Sequence, residues 1–172
     1  MTTLATLLDP IVAGLGSLPD VKSCEAFGGR FDMAALARFG AAAPAIRVAV
    51  LGVDKINWID TGQLDGVVEV GAFIVTRDER GKPRDLAVLG HVHNVLVKVH
   101  AERWGLPLVQ AGRPARCENL YSGAVQSAGL ALWGVRWTMK LRMGANAYAQ
   151  NLSASVEIWS DGAALGTLGG QP

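Results

Sequence analysis

Leu132-Trp133-Gly134-Val135-Arg136-Trp137-Thr138-Met139-Lys140-Leu141-Arg142-Met143 alternates without a break. Successive side chains of a strand point to opposite sides of the sheet. Trp133, Val135, Trp137, Met139, Leu141 and Met143 therefore share one face, and Leu132, Gly134, Arg136, Thr138, Lys140 and Arg142 share the other. One face is wholly apolar and the other turns basic from Arg136 onward, the pattern of a half-buried antiparallel strand. The reading puts two tryptophans in the core and three cations outside it.

Working outward, Ala45–Val53 reads as a strand that is largely apolar on both faces, which suits a central position. Gly66–Val75 is its expected neighbour. Between them, residues 54–65 carry turn signals and an isolated Trp58, so we expect a hairpin with a long loop. Thr76–Arg84 reads as a charged loop around Gly81-Lys82-Pro83. Val21–Phe27 is a further strand ending at a Gly28-Gly29 turn, Pro114–Tyr121 an extended segment, and Ser153–Ser160 a last strand.

Helical spacing appears three times. Leu4, Leu7, Leu8, Ile11, Val12 and Leu15 fall on one face of an N-terminal helix. Thr2 or Thr3 would cap it, and Gly14 or Gly16 would end it; Pro10 either kinks it or stands first in it after an Asp9 cap. Asp32–Phe39 reads as a short helix capped by Asp32 and stopped by Gly40. Over about 86–104, Val88, Val92, Val95, Leu96 and Val99 make an apolar stripe opposite His91, Asn94, Lys98 and Glu102, with Gly105 and Pro107 beyond. The expected fold is α+β: a mixed, mostly antiparallel sheet with the N-terminal helix and the long helix packed on it. Residues 1–160 form a single domain in this reading, and 161–172 a flexible Gly-rich C-terminal tail.

The 172 residues are 50% apolar and 18% charged, a composition that excludes an intrinsically disordered chain. Sixteen Lys and Arg stand against fifteen Asp and Glu, so no global charge points to nucleic acid. The longest uncharged run, Asn119–Val135, is broken by Ser122, Gln126, Ser127 and glycines, and no membrane span is expected. No Lys or Arg precedes the N-terminal apolar stretch and Asp9-Pro10 interrupts it, so we expect no signal peptide. Cys24 and Cys117 have no metal-site spacing and read as free thiols.

Chemistry-bearing patterns are few. His91 and His93 would project together only on a strand; on the helix expected here they diverge by about 200°, and His93 and His100 stand about 10 Å apart along the axis. We expect no catalytic, cofactor-binding or metal-binding residue and no cofactor. A Cys–His pair formed in space stays open as the basis of a hydrolase, and no phosphate-binding glycine loop is present. Charge is unevenly spread: residues 103–142 hold Arg103, Arg113, Arg116, Arg136, Lys140 and Arg142 against Glu118 alone. That local basic face suits DNA, an acidic protein surface or plain solvent.

The order of several segments resembles a known family. The apolar N-terminal helix leads to Pro19-Asp20-Val21, then to Pro44-Ala45-Ile46-Arg47-Val48-Ala49-Val50-Leu51-Gly52. A helix ending in Trp104-Gly105-Leu106 follows, then Glu118-Asn119-Leu120-Tyr121-Ser122 and Gly129-Leu130-Ala131-Leu132-Trp133-Gly134-Val135-Arg136-Trp137. Over residues 5–145 this is similar to the tail terminator family of Mu-like tailed bacteriophages and prophages. The resemblance implies a structural virion protein at the neck-proximal end of the tail, assembled in the host cytoplasm. It implies a homo-oligomeric ring, a hexamer, that caps the tail tube protein, stops tube growth and offers a surface to the head–tail connector, with DNA passing through the lumen. It carries over no catalytic residue. Residues 54–65 and the Gly-rich tail fall outside the likeness. Trp58, Arg136, Lys140 and Arg142 are the expected interface residues: Trp58 because it lacks core periodicity, the three cations because they share one strand face. The alternatives are a metal- or Cys–His-dependent hydrolase and a small DNA-binding module using the basic strand.

Overall fold

The computed structural model describes residues 4–28, 33–79, 81–106, 108–149, 156–160 and 163–168, with Met33, Ala101 and residues 156–160 and 163–168 described by backbone only. The elements run α1 (Leu8–Gly16), β1 (Ser23–Ala26), α2 (Met33–Ala41), β2 (Ala45–Trp58), β3 (Leu64–Arg77), α3 (Arg84–Ala101), β4 (Leu108–Asn119), α4 (Gly123–Ser127), β5 (Leu130–Met143), β6 (Val156–Ser160) and β7 (Ala163–Leu168). Five strands form one sheet in the order β1-β2-β3-β5-β4. Only β1–β2 is parallel; β2–β3, β3–β5 and β5–β4 are antiparallel. The fold is the α+β arrangement expected, with the N-terminal helix and the long helix packed on the sheet.

β5 has the register its alternation demands. Val135, Trp137, Met139 and Leu141 are buried against Val68, Val70, Ala72 and Ile74 of β3, Ile46 and Val48 of β2, and the stripe Val88, Val92, Val95 and Val99 of α3. Leu7, Ile11 and Leu15 add the buried edge of α1. α1 and α3 thus cover one face of the sheet. A smaller cluster (Leu36, Phe39, Ala45, Val75, Val125, Leu130, Leu132) lies on the other face at one end, under α2 and α4. The rest of that second face carries no helix among the described residues.

Several boundaries differ from expectation. α1 starts at Leu8, so Pro10 sits in the first turn, where its missing N–H has no partner to lose. Gly14 does not stop α1; it lies inside the helix, where a Cβ would stand 2.6 Å from the Trp104 ring. Gly40 is likewise inside α2, its missing side chain making room for Leu130. The proposed caps Thr2, Thr3 and Asp32, together with Gly29, Pro107 and residues 153–155, lie outside the described residues.

The largest correction concerns residues 54–65. They are not a long loop: β2 runs on to Trp58 and β3 begins at Leu64, leaving residues 59–63 as the turn. Asp54, Lys55 and Asn57 looked like turn residues because β2 is irregular there. Register shifts fall between Val50 and Gly52 and between Asp54 and Asn57, and Lys55 has φ +50°. Bulges of this kind admit turn-forming residues into an edge strand. α4 had no counterpart in the sequence reading; Ser122 caps it by accepting from the Val125 N–H at 3.3 Å. Residues 163–168, expected within a flexible tail, form β7 and pair with β6 in a separate two-stranded sheet. Residues 161–162 and 169–172 of that tail lie outside the described residues.

Candidate assembly surface

β3 and β5 lie side by side along their whole length, and their outward residues meet those of β2 and β4 in rows. Gly52–Glu69–Thr138–Arg113 is one row and Asp54–Val67–Lys140–Gln110 the next; Asn57–Asp65–Arg142 follows. The strand period of two therefore brings Arg136, Lys140 and Arg142 onto the helix-free face, as the alternation requires.

These cations are not bare. Asp65, 4% exposed, accepts from Arg142 Nε at 2.8 Å and Nη2 at 3.1 Å, and its Oδ2 lies 3.1 Å from Lys140 Nζ. The bidentate Arg142 guanidinium, with Lys140 beside it, holds the Asp65 carboxyl down at about 2. Arg136 donates to Glu118 at 2.9 Å and lies 3.6 Å from Glu69, while Arg116 pairs with Glu118 at 2.6 Å. Asp65 and Arg142 are 77 residues apart in the chain, so no local pattern announced the pair. The basic strand is one half of an ion-paired lattice, not a free cationic stripe. Gripping DNA through it would require dismantling those pairs.

Trp58 occupies a different place. It ends β2 at the turn, 78% exposed, with Ile56 at 56%. Leu51 is exposed on the same strand, and Tyr148 is exposed in the 144–149 segment, which is tied to the turn by Ala147 N–H to Thr61 O at 2.9 Å. The interface residues expected from the sequence thus fall in two settings: Trp58 beside Ile56 at the end of β2, and the three cations on the charged sheet face.

A cleft of about 540 Å³ opens at the other end of the sheet, between the Pro19–Lys22 loop and the start of α3. Lys22 and Glu79 pair across it at 2.9 Å, and Asp20, Lys82, His91 and Asn94 line it. His91 belongs to this wall; it is buried, not exposed on the polar helix face where the sequence reading put it. Burial pushes its pKa below the usual imidazole value, against the opposing pull of Asp20 and Glu79, with Lys82 adding to the drop. His93 and His100 are exposed. Among the described residues, no three His, Cys, Asp or Glu side chains gather closely enough to hold a metal ion.

The cysteines sit on the two outermost strands of the five-stranded sheet. Four strand spacings separate them by roughly 19 Å, far beyond disulfide reach. Burial raises the Cys24 thiol to about 11, so it is protonated at neutral pH. No family model matches this chain, and no curated protein does.

Proposed function

We propose that this protein is a structural subunit of a phage tail, a terminator that forms a ring on the last ring of the tail tube. In this reading the ring, a hexamer, halts tube growth and presents its free side to the head–tail connector, leaving a lumen for DNA. It works at the neck-proximal end of the tail after assembly in the host cytoplasm. The family resemblance supplies the identity of the partners. The observation that carries the reading is the end of β2, where the strand leaves the core and displays Ile56 and Trp58 to solvent.

Exposed aromatic and aliphatic groups side by side are typical of protein contact surfaces. The charged face beside them is pre-ordered by its own ion pairs, which favours docking by complementarity over nucleic-acid binding. Among the described residues, no helix is long and apolar enough to cross a membrane.

The test is a native mass measurement on the purified chain, alone and with isolated tail-tube ends. A closed ring in either condition, with tubes of defined length in a tail-assembly reaction, is the expected result. A monomer in both, with tubes that grow unchecked, rejects the reading.

A further inference from the structure

Among the described residues in the rows of the charged face, two ions lack an oppositely charged partner, one at each edge. Among the described residues, Arg113 on β4 is the only cation of Arg113, Arg116, Arg136, Lys140 and Arg142 that pairs with no carboxylate; with the Gln110 amide turned so that its oxygen faces the guanidinium, Arg113 donates to that oxygen at 3.0 and 2.8 Å. Asp54 on β2 is the only acid among Asp54, Asp65, Glu69 and Glu118 without an ion pair. Both are exposed.

The backbone at the two positions is open as well. β1 pairs with β2 only through Val48, where Phe27 N–H makes the last bond at 2.7 Å. Past it, residues 49–58 have no strand on their outer side among the described residues. β4 is the opposite edge, with no outer neighbour among the described residues. Open edges of this kind are templates for pairing with another chain.

The two edges fit each other. β2, β3, β5 and β4 alternate in direction, so β2 and β4 run opposite ways. A copy rotated about an axis near the strand direction would lay its β2 antiparallel to the first copy's β4. The rows Gly52–Glu69–Thr138–Arg113 and Asp54–Val67–Lys140–Gln110 put both edges at the same height. At equal height Arg113 of one copy stands opposite Gly52 of the next and Asp54 opposite Gln110, so Asp54 and Arg113 become diagonal neighbours one row apart on the same sheet face, within reach of a long Arg side chain.

We infer that the occupant of each edge is a second copy of this chain: β4 of one subunit pairs with the 49–58 stretch of β2 in the next, and Asp54 meets Arg113 across the joint. The contact is heterologous, so it closes into a ring when the rotation closes. The bulges at Leu51 and Lys55 and the missing N–H of Pro114 break both edges into short regular pieces. They restrict pairing to one register and oppose open-ended sheet growth. The inference rests on the ring reading and names the surfaces that build the ring.

The experiment uses the full chain. Asp54→Arg and Arg113→Asp each put like charges at every joint and should raise the concentration for half-assembly by at least about tenfold. The double exchange Asp54→Arg/Arg113→Asp should restore it, with melting temperatures unchanged in all three. In a Cys24→Ser/Cys117→Ser background, Gly52→Cys with Arg113→Cys, the positions that stand opposite each other and of which Gly52 has open space for a side chain, should cross-link on oxidation into a ladder ending at the ring mass. Rings that form in every variant with no cross-linked ladder overturn the edge pairing and leave the ring reading standing. A wild-type chain that stays monomeric even with tube ends overturns both.

Discussion

Gly14 lets α1 lie close to Trp104 in the α3–β4 connection. Inside an exposed helix, replacing Gly by Ala gains about 1 kcal/mol of helix propensity. Here the new methyl would meet the Trp104 ring at 2.6 and 2.9 Å, and Trp104 is buried. Overpacking of this kind costs about 1–3 kcal/mol, so Gly14→Ala should lower the melting temperature; a rise would show that α1 moves freely away from Trp104. Trp137 poses the opposite case. It is fully buried, and its indole N–H meets no acceptor among the described residues. Trp137→Ala should cost about 3–5 kcal/mol, out of a typical total of about 5–15 kcal/mol. Trp137→Phe keeps much of the ring volume and removes the unmatched donor, so denaturant titration should find it much less damaging than Ala.

At the scale of elements, β5 and α3 were legible because one face of each is apolar and long enough to show its period. The distal half of β2 was not. An edge strand is held from one side only, so bulges and polar residues survive in it, and Asp54, Lys55 and Asn57 read as loop. The tie between β3 and β5 was hidden for another reason: it joins residues distant in the chain. Its contribution is measurable by pH. Folding lowers the Asp65 carboxyl from 3.8 to about 2, so the ionised form is favoured in the native state. The stabilisation is complete above about pH 4 and is lost as pH falls toward 2. Asp65→Asn should leave Lys140 and Arg142 side by side without their carboxylate and destabilise the fold at neutral pH by about 1–3 kcal/mol, tempered by their exposure to solvent. Its unfolding free energy should also lack the part of the loss between about pH 4 and 2 that Asp65 is expected to contribute in the native chain. An unchanged acid profile would assign that loss to other carboxylates.

For the molecule as a whole, the two groups of expected interface residues separate stability from assembly. The sequence placed Arg136, Lys140 and Arg142 on an outer strand face, from which charge reversal would leave the fold nearly intact. The structure gives a different expectation, because Arg136→Glu sets a new carboxylate beside Glu118 and Glu69, and Arg142→Glu sets one beside Asp65. Like charges on adjacent strands are destabilising, so Arg136→Glu/Arg142→Glu should lower the melting temperature and weaken assembly together. Trp58 has no such entanglement. Little of its surface is buried within the chain, so Trp58→Ser should shift stability by no more than about 0.5 kcal/mol. If the β2 tip is where the ring meets its partners, the same change should abolish or sharply reduce capping of tail tubes, since buried tryptophans are frequent hot spots of protein interfaces. Melting curves beside a tube-length assay decide it. A Trp58→Ser chain that melts normally and caps normally would move the partner surface away from this tip, while one that melts early would show that Trp58 packs within the subunit.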